Sequence, residues 1–352
     1  MRIPFTLPLA LALFAPAFSQ RAVVYFTVEE LPVTLESPRL AFCEDGWLTK
    51  VTRKDGDRLI WTDLRRSPRD TEPDARVRPL VHTGGQSIDA WWAPAGPGQV
   101  AWTSGGRLFI GAIPATGTVT SADAGPAPEG EVSWPTTGTA VTWRSEGSVL
   151  VFDGGVTKAF PPRPGRRLVG SPVFLNGALE VAVVTGDAAI PAGAGDTIES
   201  LTRETGAWKV LATEENQSVS SLASAPPRPP ANAAAPACRK LAWIAAMPGG
   251  SRIRFHDAAT GTTETIFEQH NAEAVAFTTD SQRVLAVVRE PGKNPSAWSV
   301  NTFRSGTNQT FVADIIHAGA DGELSRPCAN AAGYWFMKKV GGGWKAVRAE
   351  VK

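Results

Sequence analysis

A chain of 352 residues is long enough for two or three ordinary domains, or for one large all-β unit. Its formal net charge of +1, from 35 basic and 34 acidic residues, supplies no global field to draw in nucleic acid or an anionic membrane. The 34 glycines and 28 prolines fall between short apolar runs, a pattern of many short strands rather than of long helices.

The first element is a leader. Met1 and Arg2 give a positive start, Leu7 to Phe14 is apolar, and Ala17 and Ser19 place small residues at the −3 and −1 positions of a cleavage site. Residues 1–19 therefore read as a secretory signal peptide, which puts the mature chain in the periplasm or outside the cell. The apolar run is shorter than the ~20 residues that span a bilayer, and Pro4, Pro8 and Pro16 interrupt it. No later segment is long and apolar enough to span a membrane.

After the leader, Ala22 to Val28 reads as a strand with no obvious partner. Leu40-Ala41-Phe42 then opens a unit that recurs: a short apolar strand, a turn, a second apolar strand, a polar hairpin and another strand. Val100-Ala101-Trp102, Val141-Thr142-Trp143, Val181 to Val184 and Leu241 to Ile244 mark further copies, and the clearest copy begins at Ala274 with AVAFTTDSQRVLAVV. The turn glycines at 117, 155, 206, 261 and 306 are 38, 51, 55 and 45 residues apart. That matches the period, roughly 40–50 residues, of four-stranded propeller blades. The expected fold is all-β: a single β-propeller over residues 20–352 with about seven four-stranded blades, six or eight also fitting the spacing. The blades fall near 40–81, 87–121, 131–160, 168–212, 219–267, 272–313 and 315–352. The last copy lacks an outer strand, and the strand at 22–28 would supply it and close the ring.

Trp92, Trp102, Trp134, Trp143 and Trp243 fall at strand positions, where large aromatics fill the wedge between neighbouring blades. Trp91 and Trp92 are adjacent, so alternation sends their side chains to opposite faces and leaves one of them exposed. These two residues are the candidate binding surface. Two Pro-rich stretches, Pro161 to Arg167 and Ser224 to Pro236, read as extended connections.

No chemistry-bearing motif stands out. The chain has no Gly-x-Ser-x-Gly elbow and no His-Glu-x-x-His, and its histidines, His82, His256, His270 and His317, are scattered. Asp55-Gly56-Asp57 is a fragment of a calcium loop that reads better as a hairpin turn, and Asp187 with Asp196 is no stronger. Gly341-Gly342-Gly343 is a hairpin loop, not a phosphate cradle. Of Cys43, Cys238 and Cys328, two could pair in an oxidising compartment or all could be thiols; spacings of 195 and 90 residues fit no metal motif. No catalytic, cofactor-binding or metal-binding residue is assigned.

The phrase FTTDSQRVLAVV resembles the F-S-P-D-G-x-x-L-A unit of TolB-type propellers, periplasmic relatives of WD-repeat proteins. Trp92 to Gly96 with Val100-Ala101-Trp102 looks like a degenerate second version. Asp257 to Gly261 and Arg203 to Gly206 resemble the family's D-x-x-T-G hairpin. The resemblance implies a propeller and often a protein-binding role, without implying one activity. The expected function is an exported, non-catalytic module, monomeric, that binds a protein or cell-envelope polymer and not nucleic acid. The alternative is a hydrolase or lyase acting on carbohydrate or peptide in the central channel.

Overall fold

The computed structural model describes residues 26–35, 41–43, 46–63, 77–83, 85–93, 98–114, 117–135, 138–175, 177–191, 195–226, 239–268, 271–278, 281, 283–289, 298–305, 311–319, 323–325, 327–330 and 333–351. The leader at 1–19, Cys238, His270, Gly306 and most of the second Pro-rich stretch lie outside the described residues, as do the side chains of Cys43 and His317. Every regular element among the described residues is a strand, and the strands form seven antiparallel sheets. No helix there is long and apolar enough to cross a membrane.

The sheets follow one another along the chain. The first runs from Ala41–Cys43 to Val77–His82, the second from Ala90–Trp92 to Thr120–Pro126, and the third from Val141–Ser145 to Val156–Phe160. The fourth runs from Arg166–Leu168 to Trp208–Thr213, the fifth from Val219–Ser224 to Thr262–Phe267, and the sixth from Asn271–Phe277 to Phe311–Gly319. Ile315 pairs with Asn301, so the sixth sheet absorbs residues that the sequence pattern assigns to the last copy. The seventh holds Cys328–Asn330, Gly333–Val340 and Gly343–Val351, and Phe26–Leu35 pairs along its outer edge.

That first strand runs past the 22–28 expected of it, from Phe26 opposite Val351 to Leu35 opposite Trp344. Its register shifts between Glu30 and Thr34, a stretch that contains Pro32. Proline has no N–H to give the ladder, so strands accommodate it at such irregularities. The third sheet has only three named strands; its inner position is held by a single bridge between Ser133 and Thr142.

The second strand of a typical sheet is apolar on both faces because a neighbouring sheet covers each of them. Val181 to Val184, Leu241 to Ala245 and Val284 to Val288 are buried throughout. Their small and branched side chains fit a layer packed on two sides. Between consecutive sheets lie apolar clusters with alternating contributions: Leu48 and Leu59 meet Trp91 and Trp102, Trp92 and Leu108 meet Trp143, and Val149 meets Val181. Leu175 meets Trp243, Ile244 meets Val275, and Leu285 meets Phe336. A seventh cluster joins Trp47 of the first sheet to Trp335, Met337 and Trp344 of the last. Trp143 and Trp243 are fully buried, as wedge-filling side chains should be.

Polar side chains tie the same interfaces. Asp57, at the start of a third strand, accepts the Ile88 N–H of the next sheet at 2.8 Å. Asp196, at the corresponding place in the fourth sheet, accepts Val219 N–H at 2.8 Å, and Ser251 Oγ in the fifth accepts Ala272 N–H at 2.7 Å. The first Pro-rich stretch is held by its arginines: Arg163 pairs with the wholly buried Glu199, and Arg167 Nε donates to Asp187 O at 3.2 Å.

Candidate functional site

The inner strands of six sheets converge on open space. One cavity of about 530 Å³ is walled by Trp91, Trp92, Trp134 and Trp344, with Glu131, Ser171, Leu222, Glu323 and Leu324 on its floor and sides. A second, also about 530 Å³, shares the last five of these and adds Glu129, Arg144, Ser220, Ser221 and Glu273. Both volumes lie within the ~300–1,000 Å³ usual for ligand sites.

The walls are fixed by hydrogen bonds that cross between sheets. Trp92 Nε1–H donates to Glu131 Oε2 at 2.8 Å, and the Glu131 N–H donates to Ser171 Oγ at 2.8 Å. Trp134 Nε1–H donates to Gln99 Oε1 at 3.0 Å. Ser221, one of four non-glycine residues with positive φ among the described residues, at 52°, accepts the Val275 N–H of the next sheet at 2.9 Å. Arg144 Nη1 donates to Val169 O at 2.7 Å while its Nε lies 3.4 Å from Glu129 Oε2. Glu273 and Glu323 face Arg289 and Lys339 at 3.3 and 3.2 Å.

Trp91 and Trp92 point to opposite faces, as alternation requires: one joins the cluster against the first sheet, the other the cluster against the third. The expectation that one indole is exposed is corrected, since they are only 5% and 7% exposed. Two neighbouring sheets cover both faces of the strand, so alternation chooses between two buried sides. Trp91 gives its N–H to Leu48 O at 3.2 Å.

The glutamates were not singled out from sequence, because they sit in short, weakly patterned stretches. A positional signal exists all the same. Trp91, Val132 and Val275 each stand 9 residues before the first residue of a buried second run, Val100, Val141 and Val284. That offset marks the cavity-facing strand, and Glu131 and Glu273 lie beside it.

The other candidates lie elsewhere. His82 is exposed, with Nε2 3.5 Å from Asp55 Oδ2. His256 is buried at 1% exposure, and its Nδ1 shares a hydrogen bond with Thr263 Oγ1 at 2.9 Å. Asp55-Gly56-Asp57 forms the hairpin turn expected of it, with Asp55 paired to Arg58. Asp187 Oδ1 accepts the Ala189 N–H at 2.8 Å, within its own turn. Among the described residues no three His, Cys, Asp or Glu gather as metal ligands would.

No family model matches this sequence, and no curated protein does. Solved structures match closely in shape. An oligogalacturonate lyase in complex with manganese superposes with a TM-score of 0.62, at 11% identity, over 94% of this chain and 97% of that one. The WD40 domain of coronin from Toxoplasma gondii gives 0.58 at 10% identity, over 94% of this chain and 88% of that one. A prolyl endopeptidase gives 0.55 at 10% identity, over 93% of this chain and 50% of that one. The fold is a β-propeller. At these identities the likeness is one of architecture, and the neighbours range from a lyase to a WD40 domain to peptidases. The TolB-type resemblance therefore rests on its repeats alone. In this propeller the two cavities bring together side chains from most of the sheets.

Proposed function

We propose that this chain is an exported, monomeric seven-bladed propeller that binds a protein or envelope polymer in its central cavity without transforming it. Seven blades are supported by the seven sheets, and closure by the pairing of Phe26–Leu35 with Gly343–Val351 and the contact of Trp47 with Trp335. Export is supported by the layout of Met1 to Ser19. The observation that carries the binding reading is the cavity wall, where Trp91, Trp92 and Trp134 are locked by hydrogen bonds beside Glu131. Aromatic walls with a few fixed polar groups are the usual make-up of a binding site. A propeller lends itself to recognition because each blade is braced by two neighbours while its loops are free to vary.

Ser220 is exposed and faces the second cavity, so Ser220→Trp places an indole in the open space without disturbing a buried contact. The chain should retain a partner from an envelope or extracellular fraction, and the variant should lose it while melting at the same temperature. Equal retention by both proteins would sink the central-cavity reading.

The glutamates around the cavity favour a second reading, a hydrolase or lyase acting on carbohydrate or peptide. Turnover of such a polymer that disappears in Glu131→Gln, with folding intact, would put this reading first.

A further inference from the structure

We infer that the wedge between the outer strands of the third and fourth sheets is a second docking site, outside the central cavity, for a protein segment that carries apolar side chains beside an acidic one. The inference does not depend on the central-cavity reading.

The third sheet turns one face to the fourth. Val151 stands opposite Lys158 and Asp153 opposite Val156, so alternation puts these four and Phe160 on that face. Part of it is closed: Val149, Val151 and Phe160 pack with Val181, Leu201 and Trp208, and the Phe160 ring lies against Gly206. Beside that contact a hollow of about 150 Å³ remains, lined by Val151, Asp153, Val156, Lys158, Phe160 and Arg203. The other face of the outer strand is taken, since Thr157 Oγ1 donates to Ala124 O of the second sheet at 2.5 Å.

Arg203 spans the gap as a strut. Its Nη1 donates to Ala178 O at 2.5 Å and its Nη2 to Asp153 Oδ2 at 2.7 Å, while the guanidinium lies 5.8 Å from the Phe174 ring centroid. Asp153 is thereby neutralised. Lys158 is left as an exposed ammonium with no hydrogen-bond or ion-pair partner among the described residues. Glu204, next to Arg203 in the chain, does not line the hollow. The two most exposed large apolar side chains among the described residues flank this strut. Leu179, 66% exposed, accepts the Arg203 N–H on its carbonyl at 3.1 Å, and Val156, 59% exposed, pairs with Asp153.

The hollow is smaller than the ~300 Å³ at which pockets begin to hold a whole small ligand, and it suits one anchoring side chain of a larger partner. The apolar surface continues onto both sheets through Val156 and Leu179, so a segment that crosses the wedge covers it, where a chain end would leave one side bare. A carboxylate on that segment pairs with the Lys158 ammonium, whereas a cationic segment would face Lys158 and Arg203 together.

The test is calorimetric titration of the full chain with the acetylated, amidated peptides ELFE, QLFQ, KLFK and ESSE. ELFE should bind, QLFQ about threefold more weakly, and KLFK and ESSE more weakly still. Lys158→Gln removes an unpartnered surface charge and should bring ELFE down to the level of QLFQ. Leu179→Ser, at a second exposed position, should weaken ELFE by about fivefold. ELFE bound no more tightly than KLFK would overturn the acidic occupant, and ESSE bound as tightly as ELFE would overturn the apolar anchor. ELFE binding that Lys158→Gln and Leu179→Ser both leave intact, or an absence of ELFE binding, would remove the site. Loss of ELFE binding in Ser220→Trp would put the peptide in the central cavity and overturn a second site.

Discussion

Asp57 is 5% exposed and sits where Gly46–Arg53 turns into Gly56–Asp63. Burial pushes its carboxyl up, but the Ile88 N–H, the Thr52 hydroxyl and Lys50 outweigh that and hold it below the usual 3.8. A carboxyl held low contributes stability that is present above that value and is lost as pH falls through its folded pKa. Asp57→Ala strands the buried Ile88 N–H and should cost about 1–3 kcal/mol in denaturant titration, whereas Asp57→Asn, which keeps an acceptor, should cost less. His256 acts in the opposite range. Desolvation by burial is the main cause that holds its pKa below 6.5; Arg239 adds to the lowering and Asp257 opposes it. The unfolded chain binds this proton more readily, so stability should fall as pH drops below about 6.5. Melting temperatures measured across that range should show the slope, and His256→Phe should flatten it. Neither role could be read from sequence. Their roles depend on a partner brought in by another strand or sheet, as with Ile88, 31 positions beyond Asp57, and no local pattern announces such a meeting. The tryptophans were legible as wedge residues because size and strand position alone decide that role.

At the level of the strand, most second strands could be read directly, since a run such as Val284 to Val288 has only one way to bury both faces. The hairpin glycines were legible for a related reason. Gly56 has φ of +122°, and a Cβ there would lie 2.7 Å from Gly85 N, so the turn tolerates no side chain. The inner strands were harder, because three residues such as Ala90–Trp92 give alternation too little length to register. The strand Phe26–Leu35 was foreseen in kind but not in extent: the apolar run ends at Val28, and a shift in register between Glu30 and Thr34 carries the pairing past Pro32. This strand covers the edge of Gly343–Val351, and Glu30 faces Lys338 and Lys345 at 3.3 and 3.8 Å. Deleting residues 26–35 should lower the melting temperature and promote self-association, visible as increased light scattering, since an open edge templates further pairing. A deleted form that stays monomeric and melts unchanged would show that the strand is dispensable.

Across the molecule, adjacent sheets are joined by apolar clusters of similar make-up, reinforced at several junctions by a buried polar cap. The repeat was legible because each copy carries its own apolar strand. The cavity was not, because it is assembled from short stretches of six sheets and no single stretch looks like a site. Its polar lining is likewise a property of the assembly: Glu129, Glu131, Arg144, Glu273 and Glu323 come from separate sheets or their connections to line the two cavities.

The pairing of Phe26 with Val351 also sets a timetable. Ribosomes extend a chain at ~5–20 residues per second, so the opening strand waits roughly 15–60 s for its partner to be made. Throughout that wait its final partner strand does not yet exist, while six other sheets' worth of strands are made. Glu29, Glu30 and Pro32 fall in the middle of that strand, and acidic charge with a missing N–H discourages a wrong match. The same short sequence that disturbs the final register thus guards the nascent chain until the correct neighbour arrives.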